Sequence, residues 1–297
     1  MSYQIITDSS CDLGVDIAKA QGIKVVPFYV TFDGETYQKE IKEVGVREFY
    51  QQMIDFPDVF PKTSLPSIQD YLEVFRPYAG KGQDILCMCL SSKFSGSYNA
   101  AVNAREMILE EYPGIKIAVL DTALATVLQG LLVLEAVRMQ QDGLSLAENV
   151  KNLERLKSTG RIIFTVGNFE YLIHGGRIGK VMGSAASTLG IKPLIMMKEG
   201  ELFPTGIARS RVKARKKIIE QAKEYFEKTR EKPEDFRFVT GYGYDREEAV
   251  PFRDQLLESM QGYSDISEIE LYQIGATIGV HTGPHPLGMG FLKKYDR

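Results

Sequence analysis

Between residues 84 and 101 the chain reads DILCMCLSSKFSGSYNAA, and no other stretch constrains the fold as much. The apolar run at 85–90 has the length of a buried strand. It stops at a loop of small polar residues, Ser91-Ser92-Lys93-Phe94-Ser95-Gly96-Ser97, and an alanine-rich helical pattern begins. Gly96, lacking a Cβ, lets a backbone approach closely. A strand end that feeds a helix start gathers free N–H groups, the positive helix end and several hydroxyls at one spot. Such a junction can hold an anion without a fixed countercharge.

The alternation continues along the first half. Residues 3–7, 23–32, 85–90 and 115–120 read as strands rich in Ile and Val, with helical patterns at 46–56, 67–79, 97–111 and 123–141. Strand and helix in turn predict an α/β unit with a mostly parallel sheet and helices on both faces. Ser67 followed by Asp70 has the spacing of a capping box and marks a helix start just after Thr63-Ser64. A helical segment at 142–160 leads into a second unit. There the sequence predicts a strand at 161–166, a glycine-rich helical region to Gly190, and a hairpin of 194–197 with 202–207 joined by Lys198-Glu199-Gly200. A long charged helix at 210–228 and strands near 236–241 and 266–272 follow. A hairpin combined with crossovers implies a mixed sheet with helices. The expected organisation is two α/β domains, 1–158 and 159–297.

A chain of 297 residues supports two domains with sizeable cores. A net charge of −3 offers no general attraction for nucleic acid. No apolar run reaches membrane-spanning length, and MSYQIITDSS passes straight into a strand-like run, so a cytoplasmic protein is expected. The three cysteines, Cys11, Cys87 and Cys89, lack the paired spacing of a disulfide framework. Cys87 and Cys89 share a strand face with no matching His or Cys pair, and read as core residues rather than metal ligands.

Polar clusters close several strands of the first unit: Thr7-Asp8-Ser9-Ser10, Thr63-Ser64, 91–97 and Asp121-Thr122. Each alone suits a helix cap. Delivered together to the carboxyl edge of a parallel sheet, where ligands bind, they point to a site. His281-Thr282-Gly283-Pro284-His285 holds two of the three histidines, in a Gly/Pro loop. A Ser95–His281 catalytic pair is conceivable, although Ser95 is not in a G-x-S-x-G turn. Gly175-Gly176-Arg177-Ile178-Gly179-Lys180 departs from the phosphate-loop spacing and does not follow a strand, so it is not read as a nucleotide site. The basic run Arg209, Arg211, Lys213, Arg215, Lys216 and Lys217 reads as a solvated helix face, with an acidic protein partner as the second choice.

Taken together, these motifs make the chain resemble the DegV family of bacterial fatty-acid-binding proteins. The matching pieces are Thr7-Asp8-Ser9-Ser10 with Asp12-Leu13, Thr63-Ser64-Leu65-Pro66-Ser67, Leu90 to Tyr98, Asp121-Thr122, Gly175-Gly176-Arg177-Ile178, Lys192-Pro193-Leu194 and His281-Thr282-Gly283-Pro284. They occur in the family's order over nearly the whole length. The resemblance implies a DegV-like fold of two α/β domains with a long-chain fatty acid buried between them, and no cofactor. It implies that Thr63 and Ser95, with Gly96, hold the carboxylate and that His281 completes the polar network. Ser64, Ser92 and Thr282 are supporting candidates. It further implies a separate fatty acid kinase that phosphorylates the carboxylate, with Arg177 a candidate for that contact. The family commonly continues G-P-G, whereas this chain has His285, whose imidazole is expected to crowd the carboxylate or add a hydrogen bond to it. The competing readings are a serine hydrolase or acyltransferase using Ser95 and His281, and a dihydroxyacetone-type kinase subunit in which His281 would hold a carbonyl substrate.

Overall fold

The computed structural model describes residues 3–184, 190–261 and 266–296. Its first half runs β1 (Gln4–Asp8), α1 (Gly14–Ala20), β2 (Lys24–Val26), β3 (Tyr29–Thr31), β4 (Gln38–Lys39), α2 (Val46–Asp55), β5 (Lys62–Ser64), α3 (Ile68–Ala79), β6 (Ile85–Cys89), α4 (Ser97–Glu111), β7 (Ile117–Asp121), α5 (Thr126–Gln141) and α6 (Leu146–Lys157). The second half adds β8 (Arg161–Thr165), α7 (Glu170–His174), β9 (Lys192–Lys198), β10 (Glu201–Ala208), α8 (Arg211–Thr229), β11 (Phe236–Tyr242), α9 (Arg246–Gln261), β12 (Glu270–Gln273), α10 (Ala276–Thr282) and β13 (Leu287–Lys293).

Residues of the first half form a four-stranded parallel sheet in the order β2-β1-β6-β7. The alternation along β6 decides what each face receives. Leu86 and Met88 pack with α5 in one cluster, while Ile85, Cys87 and Cys89 pack with α3 and α4 in another. Helices therefore cover both faces, and the two strand cysteines are core residues with their sulfurs 3.8 Å apart. The capping box at Ser67 forms: its hydroxyl accepts from the Asp70 N–H at 3.1 Å, and the Asp70 carboxylate accepts from the Ser67 N–H at 2.8 Å.

The second half builds a six-stranded mixed sheet, β10-β9-β8-β13-β11-β12, in which only the β11–β12 pair is parallel. Its hairpin turns through Glu199 and Gly200, both at positive φ, which suits a tight two-residue connection. One face packs on α8 and α9. The other faces α5, which also touches β1 and so lies between the two sheets.

Three expectations need correction. The strand read at 23–32 is two strands, because Pro27 supplies no N–H to a ladder. Residues 24–26 join the parallel sheet, and 29–31 turn into a separate antiparallel sheet, β4-β3-β5. The strand read at 266–272 is confined to 270–273. The segment holding His281 is the last turn of α10 rather than a loop, although Gly283 does end it, at φ +77°. In the glycine-rich region, α7 and a 3-10 turn at 179–184 occur, and residues 185–189 lie outside the described ones. Helix α9 and strand β13 lie outside the elements expected from the sequence. No described helix is long and apolar enough to cross a membrane.

Candidate functional site

A cavity of about 260 Å³ lies where the strand ends of the first sheet meet α5, α10 and the α5-facing side of the second sheet. Its walls are largely apolar, with Phe28, Leu90, Ile162, Phe164, Met197 and Leu202 among them. Polar side chains line it from five segments: Thr63 and Ser64 from β5, Ser95 from the loop before α4, Thr126 from the start of α5, Arg177 after α7, and Thr277, His281 and Thr282 from α10.

These segments touch one another. Thr63 Oγ1 is 3.1 Å from His281 Nε2. A Cβ on Gly96 would come within 3.3 Å of Leu65, so the β5 and α4 loops meet where Gly96 has no side chain. Arg177 donates from Nε and Nη2 to the Phe94 carbonyl at 3.2 and 3.1 Å, and from Nη1 to the Gly175 carbonyl at 2.8 Å. It thereby ties the turn after α7 to the loop holding Ser95. Among the described residues it has no carboxylate partner.

The His281 ring packs on Gly175, where a Cβ would fall 2.1 Å from Nδ1. No alanine fits there without moving the ring. Nδ1 is buried with no hydrogen-bond partner. Burial first, and then the positive charge of Arg177, pull the imidazole down to about 4, so it is neutral at physiological pH. Among the described residues no hydrogen bond joins Ser95 to His281 and no carboxylate orients the ring. Ser95 Oγ instead accepts from the Ser97 N–H at 3.2 Å, at the start of α4.

The remaining expected residues sort as follows. Gly96 is the N-cap of α4 and stands behind the wall rather than in it. Ser92 points away from the cavity, its hydroxyl and N–H both donating to Asp121. Thr282 Oγ1 donates to the Ile278 carbonyl at 3.1 Å, one helical turn back. His285 does not reach the cavity, because its Nδ1 lies 2.6 Å from an Asp245 carboxylate oxygen.

Behind the cavity, Asp8 at the end of β1 is fully buried. It accepts from the Leu90 N–H at 2.9 Å, the Ser97 hydroxyl at 2.8 Å, the Ser10 hydroxyl at 2.6 Å and the Gln129 amide at 2.9 Å. Desolvation raises its carboxyl, and these bonds hold it back toward the usual range. Asp8 thus fixes both ends of the loop that presents Ser95. Its motif was visible at a strand end, but which partners it would take was not.

The model of the family described as "Uncharacterised protein, DegV family" matches residues 2–294. The chain belongs to the DegV family. A stearic acid-binding protein from Eubacterium ventriosum is similar in structure, with a TM-score of 0.93 and 41% identity, covering 99% of each chain. A DegV family protein from Thermus thermophilus, whose structure is described as showing fatty acid binding, has a TM-score of 0.86 at 30% identity, covering 99% of this chain and 100% of that one. Among sequence relatives, a fatty acid-binding protein from Thermotoga maritima is 31% identical, covering 98% of this chain and 97% of the relative. The α/β fold with one parallel and one mixed sheet is that of the DegV structures.

Proposed function

We propose that this chain is a bacterial, cytoplasmic, non-enzymatic carrier. It binds a long-chain fatty acid between its two α/β domains, 1–158 and 159–297, and presents the carboxylate to a separate fatty acid kinase for acyl-phosphate formation. The observation that carries the reading is the Thr63–His281 contact in the wall of an otherwise apolar cavity. Nδ1 is buried against Gly175 with no acceptor to receive a proton from it, so the neutral ring that leaves no buried N–H unpaired carries its proton on Nε2 and donates to Thr63 Oγ1. The Thr63 hydroxyl hydrogen is then free to point at a ligand oxygen. Ser95, whose oxygen accepts from the Ser97 N–H, has its own hydrogen free in the same way. Two hydroxyl donors beside the positive end of α4 suit a carboxylate, and hydrogen bonds to a charged group are the stronger kind.

Nothing in this set needs an acyl-enzyme. A hydrolase reading requires His281 to take the Ser95 proton, yet its Nε2 is committed to Thr63. Arg177 is exposed at the mouth, braced by two backbone carbonyls and without a carboxylate partner among the described residues. This is the arrangement expected of a cation kept for an acidic or phosphate-bearing group on a partner. The test is a titration of delipidated protein with a long-chain fatty acid and with the fatty alcohol of equal length. The acid should bind one-to-one and more tightly; equal affinity for the two contradicts a carboxylate site.

A further inference from the structure

Where the mixed sheet meets the cavity, one row of residues lacks side chains at its centre. Ile195 on β9, Phe164 on β8, Gly288 on β13 and Gly241 on β11 lie directly opposite one another in consecutive strands. Opposed residues share a face. Here it is the face turned to α5, since Ile195 and Phe164 pack in that cluster. Glycine is a poor strand former, and inside a strand it marks a place where something approaches the backbone closely. Both glycines line the cavity.

The two are glycine for different reasons. A Cβ at 288 would fall 2.5 Å from the Phe164 Cβ and 2.7 Å from the Ile163 carbonyl oxygen, so the adjoining strand itself forbids a side chain. At 241 the nearest atoms to a Cβ belong to side chains, Ile274 at 3.3 Å and Val127 at 3.4 Å. Gly241 is also a strand residue without positive φ. Packing alone therefore does not demand glycine at 241, and the space its missing side chain leaves belongs to the cavity. Gly290, two residues along β13 and so on the same face, is nearly as crowded: a Cβ would lie 3.3 Å from Leu128 and 3.4 Å from Val239. Gly290 stands outside the cavity wall.

Gly241 lies at the end of the cavity away from its polar groups. Ile274, which touches the Gly241 position, comes just before α10, whereas His281 in the last turn of that helix meets Thr63. The seven residues of α10 put about 10 Å between these ends. The sheet agrees. The loop holding Ser95 meets the β9–β10 hairpin, where Lys93 donates to the Glu199 carbonyl at 3.0 Å, and β11 lies three strands beyond β9, about 14 Å across. We propose that Gly241 is a specificity-determining residue of the lipid site: its bare Cα receives the distal methylenes of a straight-chain fatty acid whose carboxylate lies at Thr63 and Ser95, so the residue at 241 decides how long a chain the cavity accepts. This rests on the fatty acid reading of the cavity.

The experiment is calorimetric titration of delipidated protein with octanoic, lauric, palmitic and stearic acids. In the parent, affinity should rise along the series by about fourfold per added methylene, the contribution of one buried methylene. Gly241→Ala should bind octanoic acid as the parent does, and palmitic and stearic acids roughly four- to sixteen-fold more weakly, the loss of one to two methylenes. Ile274→Phe fills the same space from the opposite side, should show the same length dependence, and carries the test if Gly241→Ala does not fold. Gly290→Ala, equally crowded but outside the wall, should keep the parent's profile. A Gly241→Ala protein that weakens every acid alike, or none, would overturn the assignment of Gly241 and leave the fatty acid reading standing. So would a Gly290→Ala protein with the same length-dependent loss. If the parent binds none of the acids, the fatty acid reading fails and takes the role of Gly241 with it.

Discussion

Replacing Thr63 with Val and Ser95 with Ala removes both proposed donors while leaving the apolar wall intact. A hydrogen bond to a charged group contributes about 1.5–3 kcal/mol, so either single change should weaken fatty acid binding by roughly 10- to 150-fold. The pair should lose roughly 10² to 10⁴ unless water at the mouth replaces a donor. Binding should not vanish, because each buried methylene contributes about 0.8 kcal/mol and some ten of them about 8 kcal/mol. The two singles should differ in stability. Ser95→Ala frees only the Ser97 N–H at a helix start, whereas Thr63→Val strands the His281 Nε2–H in a buried setting. An orphaned buried donor costs about 1–3 kcal/mol. Calorimetric titration of delipidated variants, with the matched fatty alcohol as control, reads the affinities, and thermal melts read the rest. The double variant binding the acid as tightly as the parent, or losing acid and alcohol equally, would refute the head-group assignment.

Other outcomes follow from named contacts. His281 sits near 4 when folded against an ordinary 6.5, so the unfolded chain binds the extra proton between those values. That histidine's contribution is therefore intact above about pH 6.5 and fades as pH falls toward 4, by about 3 kcal/mol in all; urea unfolding should show His281→Gln losing that slope. Gly175→Ala drives a methyl into the His281 ring and should cost about 1–3 kcal/mol in melts, with weakened acid binding and little change for the alcohol. Ser67→Ala removes the cap of α3 and should cost about 0.5–2 kcal/mol without altering selectivity between acid and alcohol. A serine-directed fluorophosphonate should leave Ser95 unlabelled on intact-mass analysis; stoichiometric labelling there would favour the hydrolase reading.

What the chain disclosed early was whatever local pattern alone decides. The helix at 97–111 and the capping box at Ser67 occur where the sequence put them, because cap chemistry and periodicity act within a few residues. Strand β13 was not legible. Its sequence LGMGFLK carries two glycines where strand formers are expected, yet it is central in its sheet. Gly288 is needed there because a Cβ would strike Phe164 at 2.5 Å, a contact that exists only after the sheet assembles. The Gly/Pro pattern at 281–285 suggests a loop, and α10 is hard to see because seven residues with an internal glycine give little periodicity, while Gly279 answers to Tyr50 and Phe49 far away in sequence. At the site, Thr63 and His281 were both named but their contact spans 218 positions. His285, four residues beyond His281, pairs with Asp245, a contact that nearness in sequence does not announce.

The central claim, that the cavity holds a fatty acid by its carboxylate, is tested most directly by mass spectrometry of the lipid carried through native purification from a fatty-acid-replete host. The account predicts one unmodified long-chain fatty acid per chain under native conditions, released on denaturation and depleted in the Thr63→Val/Ser95→Ala protein. A parent protein that carries no fatty acid, and takes none up after incubation with one, would contradict it.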